Sequence, residues 1–234
     1  MFVTSDFPSE NPRIQTRNYS YTQTLCIIMK NIQILIIFLF SIGVSAQNIT
    51  AINSNLKLSD SLTNETEIRI YQGGGITNYS SLFRMFKDKS EKWTAEFYEH
   101  YAKVNGQAEL RTEKQTLTSE KDMEFIFQNF VRSHILDLPS LSEIKWKLVT
   151  RGNVEKVKKK YRGKEIEEYE LMNKQIAILD GEGFKVQVKG WNRANEFEFS
   201  NPDGYLKHYP EIDELNYMCE ILDLIRTEFH IWKK

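Results

Sequence analysis

Phe184-Lys-Val-Gln-Val-Lys-Gly-Trp-Asn-Arg-Ala-Asn-Glu-Phe-Glu-Phe-Ser200 is the stretch that decides the fold. Phe184, Val186 and Val188 alternate strictly with Lys185, Gln187 and Lys189, the period of two of a half-buried strand. Gly190 to Asn195 reads as a loop. Beyond it Phe197 and Phe199 alternate with Glu196 and Glu198. Lysines on the outer face of one strand and glutamates on the outer face of the next are what antiparallel neighbours favour. Just upstream, Ile176 and Ile178 lead into Asp180-Gly181-Glu182-Gly183, a turn sequence with two glycines. The segment is an antiparallel meander.

Downstream, Asn201-Pro202-Asp203-Gly204 reads as a turn. Pro210 then opens a final helix with Glu211, Asp213 and Glu214 in its first turn, where the helix dipole favours carboxylates. Ile212, Leu215, Met218, Cys219, Leu222, Ile225 and Phe229 make its apolar face, so the helix is expected over about 210–229. A second amphipathic helix is expected over about 120–136. Ser119-Glu-Lys-Asp122 starts it, Met123, Ile126, Phe127, Phe130 and Val131 recur at helical spacing, and Pro139 stops it.

Before that helix the period is again two. Ile68 and Ile70 alternate with Arg69 and Tyr71, Gly73-Gly74-Gly75 follows, and Leu82, Phe83, Met85 and Phe86 form the next apolar patch. Trp93, Ala95, Phe97 and Tyr101 face one side of a third strand, with Thr94, Glu96 and His100 on the other. Residues 108–117 form a thin fourth strand. Between the helices, Ile144, Trp146 and Leu148 alternate like a strand. From Arg151 to Lys164 the chain carries seven basic residues and one acidic one, before Glu165, Glu167, Glu168 and Glu170 reverse the sign. An exposed excursion is expected there, as a long hairpin or a short helix pair. Strands then helix, twice over, gives an α+β fold with a mainly antiparallel sheet. The halves 67–138 and 144–230 are either two β-meander-plus-helix units or, as the better expectation, one continuous sheet with both helices on one face.

The N-terminal 46 residues stand outside this pattern. Met29-Lys30-Asn31 precedes the apolar run Ile34–Val44, and Val44-Ser45-Ala46 precedes Gln47. A positive start, a short apolar core and small residues at −3 and −1 make 29–46 a secretory signal peptide cleaved after Ala46. A retained anchor from Leu25 to Ala46 is disfavoured, because it would carry Lys30 into the bilayer. Residues 1–28 match no targeting pattern and are expected to be a mis-assigned extension upstream of Met29. Neither Cys26 nor Gln47 gives a lipoprotein signature. Residues 47–66 have no sustained apolar period and are expected to be a flexible leader, with a single folded domain over 67–234.

The composition is that of an ordinary globular chain: 234 residues, 41% hydrophobic, 27% charged, net charge −1. Removing residues 1–46 leaves a net charge of −2 and one cysteine, Cys219. The fold must then be held by its core rather than by a disulfide. No global excess of positive charge argues for nucleic acid. Asn48-Ile-Thr, Asn64-Glu-Thr and Asn78-Tyr-Ser fit the glycosylation acceptor pattern, which bacterial export would make irrelevant.

Catalytic signatures are not evident. His100, His134, His208 and His230 show no metal-binding spacing, and no metal or cofactor is expected. The three glycines at 73–75 lack the ending of a phosphate loop, no G-x-S-x-G occurs, and Cys219 sits mid-face on a helix. Two surface features are left as candidate binding groups. One is the basic stretch with Lys158, Lys159, Lys160 and Arg162, suited to an anionic partner. The other is Trp191 with Arg193 in a loop, suited to a contact hot spot.

Asp180-Gly-Glu-Gly-Phe-Lys-Val and Phe197-Glu-Phe-Ser-Asn-Pro-Asp-Gly-Tyr205, with the signal segment, resemble uncharacterised exported proteins of Bacteroidetes-type bacteria. The resemblance covers the last third and implies an exported α+β domain, without catalytic residues to carry over. The expectation is an exported, periplasmic or extracellular, non-enzymatic domain. It would bind a protein or an envelope component, with no nucleic acid partner and no stable membrane span. The alternative is an exported hydrolase with a dispersed site, in which His100, His208 or a carboxylate pair converge in a cleft.

Overall fold

A computed structural model describes residues 49–74, 77–178 and 181–233. The expected extension and signal peptide, and Gly75 and Asp180 of the two glycine turns, lie outside the described residues. Residues Ile49–Lys234 make one compact unit. Its elements in chain order are α1 (Ile49–Leu56), β1 (Thr66–Gly73), β2 (Tyr79–Lys87), β3 (Trp93–Tyr101), β4 (Arg111–Leu117), α2 (Met123–Arg132), α3 (Leu141–Ile144), β5 (Val154–Tyr161), β6 (Lys164–Leu171), β7 (Gly183–Gly190), β8 (Arg193–Ser200), α4 (Pro202–His208) and α5 (Asp213–Phe229). The chain is α+β.

Strands β4-β3-β2-β1-β7-β8 form one antiparallel sheet of six. The meander β1–β4 and the hairpin β7–β8 meet along β1, where Ile68 opposes Val188 and Ile70 opposes Val186. Apolar side chains thus align across the junction, and one continuous sheet forms rather than two halves. On this face Phe83, Met85, Phe197 and Phe199 pack with Ile126, Phe127 and Phe130 of α2 and Leu215, Leu222 and Ile225 of α5. Both long helices therefore cover the same face. Asp122 caps α2, its carboxylate accepting from the backbone N–H of Glu124 at 2.7 Å and of Phe125 at 3.3 Å.

Four local expectations are corrected. Residues 49–66 are not a flexible leader. Ile49, Ile52 and Leu56 recur at helical spacing, and Ile52 packs with Tyr71, Leu82 and Tyr98 on the second face of the sheet. Three apolar residues suffice for α1 because the sheet supplies the rest of the cluster. Ile144 and Leu148 are not in a strand. Ser140 and Glu143 form a capping box, and the i, i+4 pair turns inward while Trp146 between them is 74% exposed. Residues 190–195 are not a loop. Trp191 (φ 50°) and Asn192 (φ 60°) make a two-residue turn, and Arg193 already belongs to β8. Asn201-Pro202 opens the separate helix α4, because proline fits a first helical turn, and α5 starts at Asp213 rather than at Pro210.

Candidate functional site

The second face of the sheet is polar and yet buried. Glu67, Arg69, Arg84 and Glu96 lie side by side on β1, β2 and β3, beneath the segment that links α1 to β1. Glu67 and Arg69 are fully buried. Glu67 Oε1 accepts from Arg69 Nε and Arg84 Nε, both at 2.8 Å, and Oε2 accepts from the backbone N–H of Thr63 and Asn64, both at 3.0 Å. Arg69 donates onward to the carbonyl oxygens of Ser59 (2.5 Å) and Ser61 (3.3 Å). The covering segment is thus held by both charges of one pair. Burial by itself raises the Glu67 pKa, but the Arg84 hydrogen bond and the charges of Arg69 and Arg84 outweigh it and hold it at about 2. Glu96 is similarly held low against its burial, by Lys114, Tyr98 and Arg84. Both carboxylates are fixed as anions, which suits neither for donating a proton near neutral pH.

His100 sits at the far end of the same face. Its Nε2 lies 2.9 Å from Asn55 Nδ2 and its Nδ1 lies 3.0 Å from Ser80 Oγ. An amide nitrogen only donates, so Nε2 accepts and the ring proton sits on Nδ1, donated to Ser80. In that tautomer His100 cannot take the Ser80 proton. Burial lowers the His100 pKa and keeps the ring neutral. His208 lies in the last turn of α4. Neither histidine meets the Glu67–Glu96 cluster in a cleft among the described residues. Shallow surface hollows are present among the described residues. One, of about 300 Å³, runs along Arg132, Glu220 and Thr227, and another, of about 370 Å³, runs along Asp60, Gln187 and Glu196. Glu196 is already engaged by Lys185 and Gln187.

The structure separates the two candidate contact features. Trp191 stays 53% exposed, but its ring packs edge-on against Phe127 at 5.6 Å, and Phe127 stacks in turn on Trp93. Arg193 pairs with Asp137. These side chains fasten the β7–β8 turn to α2 and the residues after it.

Lys158, Lys159, Lys160 and Arg162 lie elsewhere, on the hairpin β5–β6, which pairs only with itself. The long-hairpin alternative is therefore the one that forms. Val154, Lys156, Lys158 and Lys160 share one hairpin face with Leu171, Tyr169, Glu167 and Glu165. Glu155, Val157, Lys159 and Tyr161 share the other with Glu170, Glu168, Ile166 and Lys164. Along β5 only Val157 is even half-buried. Lys156 pairs with Glu167, and Lys159 with Glu168 and Glu170. Lys158, Lys160, Arg162 and Lys164, towards the turn, have no ion-pair partner among the described residues. The Arg162 guanidinium lies over the Tyr161 ring at 5.3 Å. The turn is Arg162 (φ 49°) with Gly163 (φ 83°), two left-handed residues that let strands of normal twist meet over two positions.

Sequence patterning pointed to the basic residues of this arm but not to its apolar ones. Val154, Tyr161, Tyr169 and Leu171 are each more than half exposed, and Trp146 lies just before the hairpin. Their signal was visible only as aromatic and aliphatic residues in a segment that builds no apolar face.

Comparison with protein-family models, with curated proteins and with solved structures finds no match.

Proposed function

We propose that the chain is an exported, non-catalytic binding domain whose contact element is the β5–β6 arm, and that its partner is a protein or another component of the cell envelope. One observation carries this. Of the ten large hydrophobic side chains left exposed among the described residues, seven lie between Trp146 and Ile176. That segment contributes little to the core: within it, Leu148 is its one fully buried apolar side chain. Apolar surface gathered on an element that the fold does not need is the mark of a surface used for contact. Tyrosine and arginine at the end of the arm add the residue types that dominate binding energy at interfaces. Export is supported by the signal-like segment at 29–46.

The test is photo-crosslinking from single positions in cells that make the protein. A photoreactive residue replacing Tyr169 or Tyr161 gives a discrete adduct, whereas one replacing Tyr205, beside the core, gives none. Adducts from Tyr205 alone, or none from the arm, remove the arm as the contact element.

A further inference from the structure

Resting on that reading of the arm, we infer that its tip docks on an anionic phospholipid surface. Charge is spread unevenly along the hairpin. Each strand has eight residues, so the arm extends roughly 26 Å at the usual rise per residue. Its base is acidic or neutralised: Glu155, Glu168 and Glu170 lie there, and Glu167 holds Lys156. Its distal third carries Lys160, Arg162 and Lys164, without an ion pair among the described residues, against Glu165 alone, while Lys158 lies one step back opposite Glu167.

Separation along the arm is what makes the tip basic to a partner. Charges at the base lie one to two Debye lengths behind the turn, given about 8–10 Å at physiological ionic strength. A surface touching the tip therefore meets an excess of cations that the near-neutral sum for the whole hairpin conceals. The arrangement also selects the shape of the partner. Lys160 and Lys164 lie on opposite faces of the hairpin, and among the described residues no other strand pairs with it to wall in a pocket. Such a tip cannot enclose a small anion, and it offers no groove with stacked rings for a polysaccharide chain. It matches an extended array of negative head groups. Tyr161, exposed at the turn with Arg162 over its ring, is the amphipathic ring that settles at the head-group level of a bilayer.

The pattern also disfavours two copies of the arm pairing through like edges. Two β5 edges meeting antiparallel would set lysine against lysine, and two β6 edges glutamate against glutamate.

The experiment uses the chain from Gln47 onward, which contains the whole compact unit Ile49–Lys234, and sedimentation with two kinds of vesicle. One kind is phosphatidylcholine alone, and the other is phosphatidylcholine with about one quarter phosphatidylglycerol, both at about 0.05 M NaCl. Binding to the anionic vesicles only is expected, with release at about 0.5 M NaCl. Each basic residue near such a surface is worth roughly fivefold in partitioning, so losing three cations alone weakens binding about 100-fold, and the K158E/K160E/R162E variant, which also adds three anions, should bind at least that much more weakly. A control with the same change in net charge, K57E/K89E/K92E, reverses exposed lysines away from the arm and should lose far less. Circular dichroism confirms that both variants fold.

Equal binding to neutral vesicles, no binding to anionic ones, or an equal loss in the control overturns the inference. Loss of vesicle binding with arm-directed crosslinks to a protein still present removes the lipid and leaves the binding domain standing. Absence of both removes both.

Discussion

Replacing Arg69 by methionine tests whether the buried ion pair fastens the N-terminal segment to the sheet. The substitution keeps the length of the side chain and removes its charge. Three hydrogen bonds disappear: one to Glu67 and one each to the carbonyl oxygens of Ser59 and Ser61. Glu67 keeps Arg84 and the two backbone N–H groups, so it remains charged but less compensated. A native pKa of about 2 against an ordinary 4.5 corresponds to about 3 kcal/mol of preferential stabilisation of the carboxylate. Arg69 supplies part of that. The carbonyl oxygens of Ser59 and Ser61, on exposed residues, lose a charged donor but can turn to water, so they add only about 1 kcal/mol between them. Some of this relaxes as the segment lifts towards water, and measured losses for half-broken buried pairs are about 3–5 kcal/mol. The expected loss for Arg69→Met is therefore about 3–4 kcal/mol at pH 7, a large share of the roughly 5–15 kcal/mol that holds a domain folded. Urea unfolding followed by tryptophan fluorescence measures it. Hydrogen exchange at residues 59–64 should quicken more than exchange in β2 or α5. A loss below about 1 kcal/mol, or unchanged protection of residues 59–64, would falsify the view that this pair anchors the segment.

Further outcomes follow from the same contacts. Glu67 has a native pKa below its unfolded one, so its stabilisation is complete above about pH 4.5 and is lost as the pH falls towards 2. Urea midpoints measured across that window should drop in the wild type and drop less in Glu67→Gln. His100 also has a lowered native pKa, so burial of its neutral ring begins to cost stability once the pH falls below the unfolded value near 6.5. Its imidazole resonance should titrate below that value, and a midpoint at or above it contradicts burial of a neutral ring. Asp122→Ala removes the cap of α2 and should cost about 1 kcal/mol in urea unfolding. Trp191→Ala should cost about 1 kcal/mol through loss of the Phe127 contact, while leaving vesicle binding unchanged.

The strands of the β7–β8 hairpin were legible because each alternates against a single apolar face, whereas Ile176 and Ile178 ahead of it form no strand. Phe184, Val186 and Val188 are all buried, and their lysine and glutamine neighbours are only partly so. The face of α5 was legible for the same reason, since every residue assigned to it is buried. What could not be seen was the second face of β1. Glu67 and Arg69 look like solvent-facing residues in an alternating strand, and only the fold places a segment from residues 53–64 above them. That segment contributes backbone groups as partners, and backbone carries no side-chain pattern. The same limit hid the turn at Trp191-Asn192. A bulky residue in the left-handed region contradicts local turn preference, and it persists because Phe127 holds the ring. The candidate contact residues were half legible. Charge marked Lys158, Lys159, Lys160 and Arg162, but which of them pair within the hairpin depends on register.

The domain places charge and apolar surface opposite to the usual allocation in two places, and the two differ in how they are resolved. Beneath the N-terminal segment, charged groups are buried, and each is answered within the chain: Glu67 by two arginines and two backbone N–H groups, Arg69 by Glu67 and two carbonyl oxygens. A network so closed fixes one register of the segment on the sheet, because a shift of one residue would strand a buried charge. On the arm, apolar and cationic groups are exposed, and the chain answers only some of them. Lys156 and Lys159 have glutamates, but Val154, Tyr169 and Leu171 stay exposed, and among the described residues Lys160, Arg162 and Lys164 near the turn face Glu165 alone. An inversion that is satisfied internally needs no partner to explain it. One that is left unsatisfied on a projecting hairpin, itself the least self-sufficient of β-structures, is accounted for when something outside the chain completes it. The two cases make opposite forecasts for substitution. Changes at Glu67 and Arg69 should move stability, and changes at Lys158, Lys160 and Arg162 should move binding with stability within about 0.5 kcal/mol of wild type. A tip variant that unfolds the domain, or an Arg69 variant that leaves stability intact, would break that division.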